Sequence, residues 1–158
     1  TSLIQKGTII KSIVILSGER ILSENERNAV AQDYKVPIET LKTEADSIFC
    51  ILCCMLQRAQ ITIPIKVIRC LNAVMPNGTI IRPTRLDTIQ KWIEECNPNE
   101  GNYLAFSIQP HSIFEKNVIE SVTPENICVE VIAPEWRNVR VAVYLDAIAR
   151  TLYAYKQD

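Results

Sequence analysis

Three of the chain's six cysteines fall within five residues, as Cys50-x-x-Cys53-Cys54, and these are the first candidates for chemistry. Thiolates bind zinc or exchange disulfides, but a zinc site needs two such pairs, or a pair with histidines, carried on loops or turns. The remaining cysteines, Cys70, Cys96 and Cys128, stand alone, and His111 is the only histidine. The triplet also lies inside an apolar run, where reduced thiols act as small core side chains. No metal and no cofactor are expected. A nucleophilic thiol would need His111 as its base. His111 stands between Pro110 and Ser112, at the expected start of a helix. A cysteine-dependent enzyme is the third reading of the chain. Serine-hydrolase elbows, phosphate loops and dinucleotide fingerprints do not occur in the sequence.

Charge gives the second kind of candidate. The net charge of −1 hides a banded pattern. Residues 19–46 carry seven acids against four bases. Residues 57–91 carry Arg58, Lys66, Arg69, Arg82, Arg85 and Lys91 against Asp87 alone, and residues 92–136 carry eight Glu against Lys116. Opposed bands of this size predict complementary surfaces, within the fold or between copies of it. The same six basic residues are the candidates for contact with a partner or with a phosphate backbone, Arg69, Arg82 and Arg85 foremost. Only Trp92 is near enough in sequence to stack on a base, so the aromatic interleaving of a single-strand binder is missing.

Residues 28–41 have helix-turn-helix spacing, with Ala31, Val36 and Leu41 at the packing positions and Lys35 where a turn glycine is usual. Its second helix would carry Glu39, Glu44 and Asp46, which phosphates repel. The segment is read as a helix-packing corner. Asn77-Gly78-Thr79 fits a glycosylation sequon but is read as a turn.

The element that must position these residues is Pro37–Gln57. Ile38, Leu41, Ala45, Ile48, Leu52 and Met55 recur at helical spacing, and Phe49, Ile51, Cys53 and Leu56 widen the face until it closes. A buried central helix over about 37–57 is expected. Around it, Thr8–Leu16 reads as a strand and Ser23-x-x-Glu26 as the capping box of a helix ending near Tyr34. A short helix is expected over 65–74, a turn at Met75–Gly78, and an amphipathic helix from Leu86 to Cys96. Asn97–Gly101 marks a boundary. Beyond it, Tyr103–Ile108 reads as a strand, Ser112–Ser121 as a helix, and Ile127, Val129 and Val131 as a half-buried strand. Val139, Val141, Val143 and Leu145 alternate, so a strand is placed there, against the helical spacing of Ile148, Leu152 and Tyr155.

Arg140–Asp146, followed by Thr151-Leu152 and Tyr155, resembles the late strand pair of SPRY domains, β-sandwich modules that bind protein ligands. The resemblance covers about 16 of 158 residues. Arg150 replaces the family's turn glycine, its upstream aromatic and glycine-rich strands do not occur, and no function is carried over from it.

With 47% hydrophobic and 22% charged residues, the chain can bury a core as one domain. The expected fold is α+β and mainly helical, with a helical lobe over 1–97 and a mixed lobe over 102–158. Unpaired cysteines, a start without a cleavage-site pattern and an apolar run from Ile48 to Met55 too short for a bilayer predict an intracellular, cytoplasmic chain without membrane contact. The leading functional expectation is a non-catalytic scaffold, adaptor or coat-like subunit that binds a protein partner or itself through charge-complementary surfaces. Nucleic-acid binding through residues 58–91 is the alternative.

Overall fold

A computed structural model describes residues 7–107, 110–133 and 141–154. Five α-helices and six short strands are found there, an α+β mixture of 47% helix and 22% strand. The chain forms two compact units, Thr1–Thr84 and Arg85–Asp158.

The first unit is built on two parallel strands, β1 (Ile13–Gly18) and β2 (Ile65–Cys70), with Ile15 opposite Val67 and Leu16 opposite Ile68. Parallel neighbours need a long crossover. Here it consists of helix α1 (Glu24–Tyr34), a 3₁₀ turn (Ile38–Thr40) and helix α2 (Glu44–Arg58). Each helix starts in a capping box, in which side chain and backbone satisfy each other's orphan donors. Ser23 Oγ accepts from the Glu26 N–H while the Ser23 N–H donates to the Glu26 carboxylate, and Thr43 and Asp46 repeat the arrangement. A cap of this kind stabilises its helix by about 1 kcal/mol. Helix α1 ends at Lys35, which adopts the left-handed conformation (φ 55°) that glycine takes most easily.

Two expectations for this unit are corrected. The central helix begins at Glu44, because Thr43 and Asp46 form their own cap; Pro37 instead precedes the separate 3₁₀ turn. Nor is the helix buried all round. Its fully buried residues are Ala45 and Ser47, while Phe49 and Ile48 are partly exposed and Met55 is 54% exposed. Helix α2 packs on β1, β2 and α1 and leaves its remaining side open. The second correction concerns 65–74, where β2 replaces the expected helix. Ile65, Val67 and Ile68 are β-branched and fit a pleated ladder, and the pairing with β1 overrides the helical spacing read there. A small hairpin follows, β3 (Ala73–Val74) with β4 (Ile80–Ile81). Its turn is the expected one, with Gly78 at φ +81° and the Asn77 side chain accepting from the Thr79 N–H. Leu41 and Ile68 are fully enclosed at the centre of the unit.

The second unit starts with α3 (Arg85–Cys96), which ends where Asn97 turns left-handed (φ 41°). Strands β5 (Gly101–Phe106) and β6 (Ile127–Ile132) pair in parallel, with α4 (Ser112–Val122) as the crossover. Helices α3 and α5 (Val141–Ala154) both pack against α4, which itself packs on β6. Trp92 of α3 meets Tyr103 of β5 edge to face, with ring centroids 5.5 Å apart. The half-buried alternation expected of Ile127, Val129 and Val131 is observed.

Helix α5 overturns the strand expected through Leu145, and with it the likeness to a SPRY strand pair. Residues 136–140 and Tyr155 of that reading lie outside the described residues. Val143, Ala147 and Thr151, four apart, turn inward as the helix's covered line, with Ala147 fully buried. The segment Val141–Ala154 has no glycine or proline and holds four alanines, so helix propensity wins over the alternation of Val141, Val143 and Leu145 within it.

Candidate interaction surface

The six basic residues singled out in the sequence divide between the units. Arg58, Lys66, Arg69 and Arg82 belong to the first, Arg85 and Lys91 to the second. Arg58 closes α2 with its guanidinium 5.7 Å from the centre of the Tyr34 ring. Lys66 is exposed on β2, and Arg82 is exposed between β4 and α3. Arg69 donates to Asp46 at 2.6 Å, to Thr43 Oγ1 at 3.0 Å and to Glu19 at 3.2 Å. Arg85 holds Glu115 at 3.0 Å and Lys91 faces Glu95 at 3.7 Å. Basic side chains set aside for a partner are thus in part engaged by carboxylates of their own unit.

The carboxyl ends of parallel strands are where open α/β sheets hold ligands. At the ends of β1 and β2 stand Glu19, Arg20 and Arg69, and around them Glu26, Glu44, Thr43 and Asp46. Arg20 grips Glu26 through both terminal nitrogens, at 3.2 and 3.0 Å, and reaches Glu44 at 3.5 Å. Asp46 accepts from the Lys42 N–H, the Thr43 N–H and hydroxyl, and Arg69. Burial opposes its ionisation, but the Arg69 hydrogen bond and the donors of residues 42 and 43 outweigh it and hold its carboxyl below the usual range. A depression of about 470 Å³ opens beside this cluster, lined by Val36, Pro37, Thr40, Phe49 and Cys50. Its charged groups are occupied in tying helix α2 to the strands, so the cluster reads as a clamp of the fold.

All six cysteines are free of disulfides. Cys50, Cys53 and Cys54 are half-buried on α2, and the Cys54 thiol points at the Tyr34 carbonyl, 3.8 Å away. Burial, then the neighbouring thiols Cys50 and Cys54, push the Cys53 thiol up, the opposite of what a reactive cysteine needs. Among the described residues no His, Cys, Asp and Glu side chains group as a metal site. His111 occupies the N-cap position of α4 without capping it, beside a small depression of about 220 Å³. The charged groups there are paired with each other, Arg85 with Glu115 and Arg150 with Asp146 at 2.7 Å.

The second unit exposes apolar side chains beside its charged ones. In the β5–β6 ladder, Tyr103 with Val129 and Ala105 with Val131 share the face turned toward the helices. The opposite face carries Asn102 with Cys128, Leu104 with Glu130 and Phe106 with Ile132, all exposed, and Phe106 is 72% exposed. On α5 a second apolar row is exposed: Val141, Tyr144, Leu145, Ile148 and Leu152, each between 45% and 73%. In the first unit the hairpin presents Val74, Ile80 and Ile81. None of these residues was a candidate contact in the sequence. The signal existed in Tyr103-Leu104-Ala105-Phe106, a strand apolar on both faces, because such a strand is read as covered on both.

No protein-family model, no curated protein and no solved structure matches the chain. No helix among the described residues is long and apolar enough to cross a membrane.

Proposed function

We propose that the chain is a non-catalytic assembly subunit that works by protein–protein contact, first of all with copies of itself. The observation that carries this reading is the open face of the β5–β6 pair. Parallel strands are found with both faces covered, since a bare face leaves apolar side chains in water. Covering Phe106, 72% exposed, would gain most of what a fully exposed apolar side chain gives, about 2 kcal/mol, and covering Leu104 and Ile132, 38% and 39% exposed, a smaller part of it each. A second copy brings an identical row, and two such faces stack as sheets do, about 10 Å apart. The contact is therefore apolar, in place of the charge-matched surfaces expected from the banding.

Nucleic-acid binding is the weaker reading. Of the three arginines foremost in that reading, Arg69 and Arg85 would first have to leave Asp46 and Glu115 to reach phosphates, and Arg82 alone stands exposed with no carboxylate contact among the described residues. Light scattering after size exclusion tests both readings. Wild-type chain is expected to elute as a multiple of 17.9 kDa without excess absorbance at 260 nm. Phe106→Glu should weaken that assembly at least about tenfold, since it replaces the most exposed apolar side chain of the face by a charge. A wild-type monomer at high concentration, or a Phe106→Glu protein of unchanged mass, would overturn the proposal.

A further inference from the structure

We infer that helix α5 pairs with α5 of a second copy across a two-fold axis passing by Ile148. The inference rests on the self-assembly reading and deepens it, adding a contact distinct from the open sheet face.

Helix α5 has two apolar sides. Its line of Val143, Ala147 and Thr151 is turned inward, in a helix that packs on α4. About a third of a turn away run Val141, Leu145, Ile148 and Leu152, at spacings of four, three and four, with Tyr144 beside them. That spacing is the seam by which one helix receives the side chains of another in knobs-into-holes packing. It asks for a partner that is itself a helix with an apolar seam, and this chain supplies one.

Self-complementarity is what a two-fold contact demands, because the same patch must face itself. The seam has no charged residue, so two copies bring no like charges together. Asp146 and Arg150 lie on another side of the helix and hold each other at 2.7 Å. Ala142 and Ala149 flank the seam and allow close approach. The exposed surface of the five side chains is on the order of 600 Å² per copy, so a pair removes up to about 1,200 Å² from water, the lower end of specific interfaces. The midpoint of the seam falls between Leu145 and Ile148, so the two copies of Ile148 come close to the axis whether the helices run parallel or antiparallel.

This gives a test by charge pairing. Ile148→Lys and Ile148→Glu are prepared separately and compared with wild type by sedimentation velocity, with circular dichroism as the check on folding. Each variant alone should associate about 100-fold more weakly than wild type, because like charges meet near the axis. An equimolar mixture should regain an affinity within about tenfold of wild type. If the charges disturb the monomer's dichroism, Leu152→Gln is substituted, with loss of association again expected.

A mixture that associates no better than either variant alone overturns the inference, as do variants that associate like wild type. If association survives at 148 but is lost in Phe106→Glu, the α5 pairing falls and the sheet-face assembly stands. A wild type that is monomeric at every concentration removes both, and capture of α5 by some other protein would not restore the pairing.

Discussion

Glu26 has four donors around it. Arg20 approaches through two nitrogens, and the Ser23 N–H and hydroxyl both lie 2.8 Å away. Together they hold its carboxyl at about 2, against an ordinary 4.5, with the Arg20 hydrogen bond the largest cause and the Ser23 N–H next. The unfolded chain takes up this proton near pH 4.5, whereas the folded chain resists until about pH 2. The contribution to stability is therefore complete above pH 4.5 and is lost as pH falls from there toward 2. Glu26→Gln should lower the thermal midpoint at about pH 7 and by much less at about pH 3, so that the two melting curves converge in acid. Equal differences at both pH values would show that the Arg20–Glu26–Ser23 contact does not form. Asp46 pulls in the same direction and is common to both proteins, so it cancels in the comparison.

At the scale of elements, α5 offers a direct contrast between two alanines two residues apart. Ala147 is buried and Ala149 is exposed. Ala147→Leu forces added methylenes into the packed side and should cost about 1–3 kcal/mol. Ala149→Leu should change stability by less than about 0.5 kcal/mol, as a surface substitution in a helix does. Urea unfolding measures both, and equal costs would mean that α5 does not present this face to its neighbours. Most elements were legible. Ser23 with Glu26, Met75–Gly78, Leu86–Cys96 and the alternation of Ile127, Val129 and Val131 all carry local signals that the fold obeys. The failures fell where local signals conflict. Ile65–Cys70 satisfies both periods and is settled by pairing with a strand some fifty residues earlier. Around Val143 the alternation and the helical spacing share residues, and packing against α4 chooses. Thr43-x-x-Asp46 was a legible cap, hidden inside a longer apolar run that seemed continuous from Pro37.

For the whole molecule, the banding of charge suggested assembly by opposite surfaces, whose strength would fall as salt screens them. Arg20, Arg69, Arg85, Lys91 and Lys116 instead meet carboxylates of their own unit, and the exposed rows are apolar. Association should therefore hold or tighten when salt is raised from about 0.05 M to about 1 M, since added salt screens charges without weakening apolar burial. Sedimentation at both concentrations checks this, and dissociation in high salt would return the contact to the charged bands. The sequence alone determined that this chain mixes helix and strand and where those elements with a clear cap, turn or alternation lie. Those properties follow from caps, turns and periodicity, which act over a few residues. Which basic side chains are occupied, which strands pair and which apolar faces remain uncovered were decided only by tertiary structure. Each depends on what a distant segment brings alongside, and an apolar residue reads the same in sequence whether its own fold covers it or leaves it for a partner.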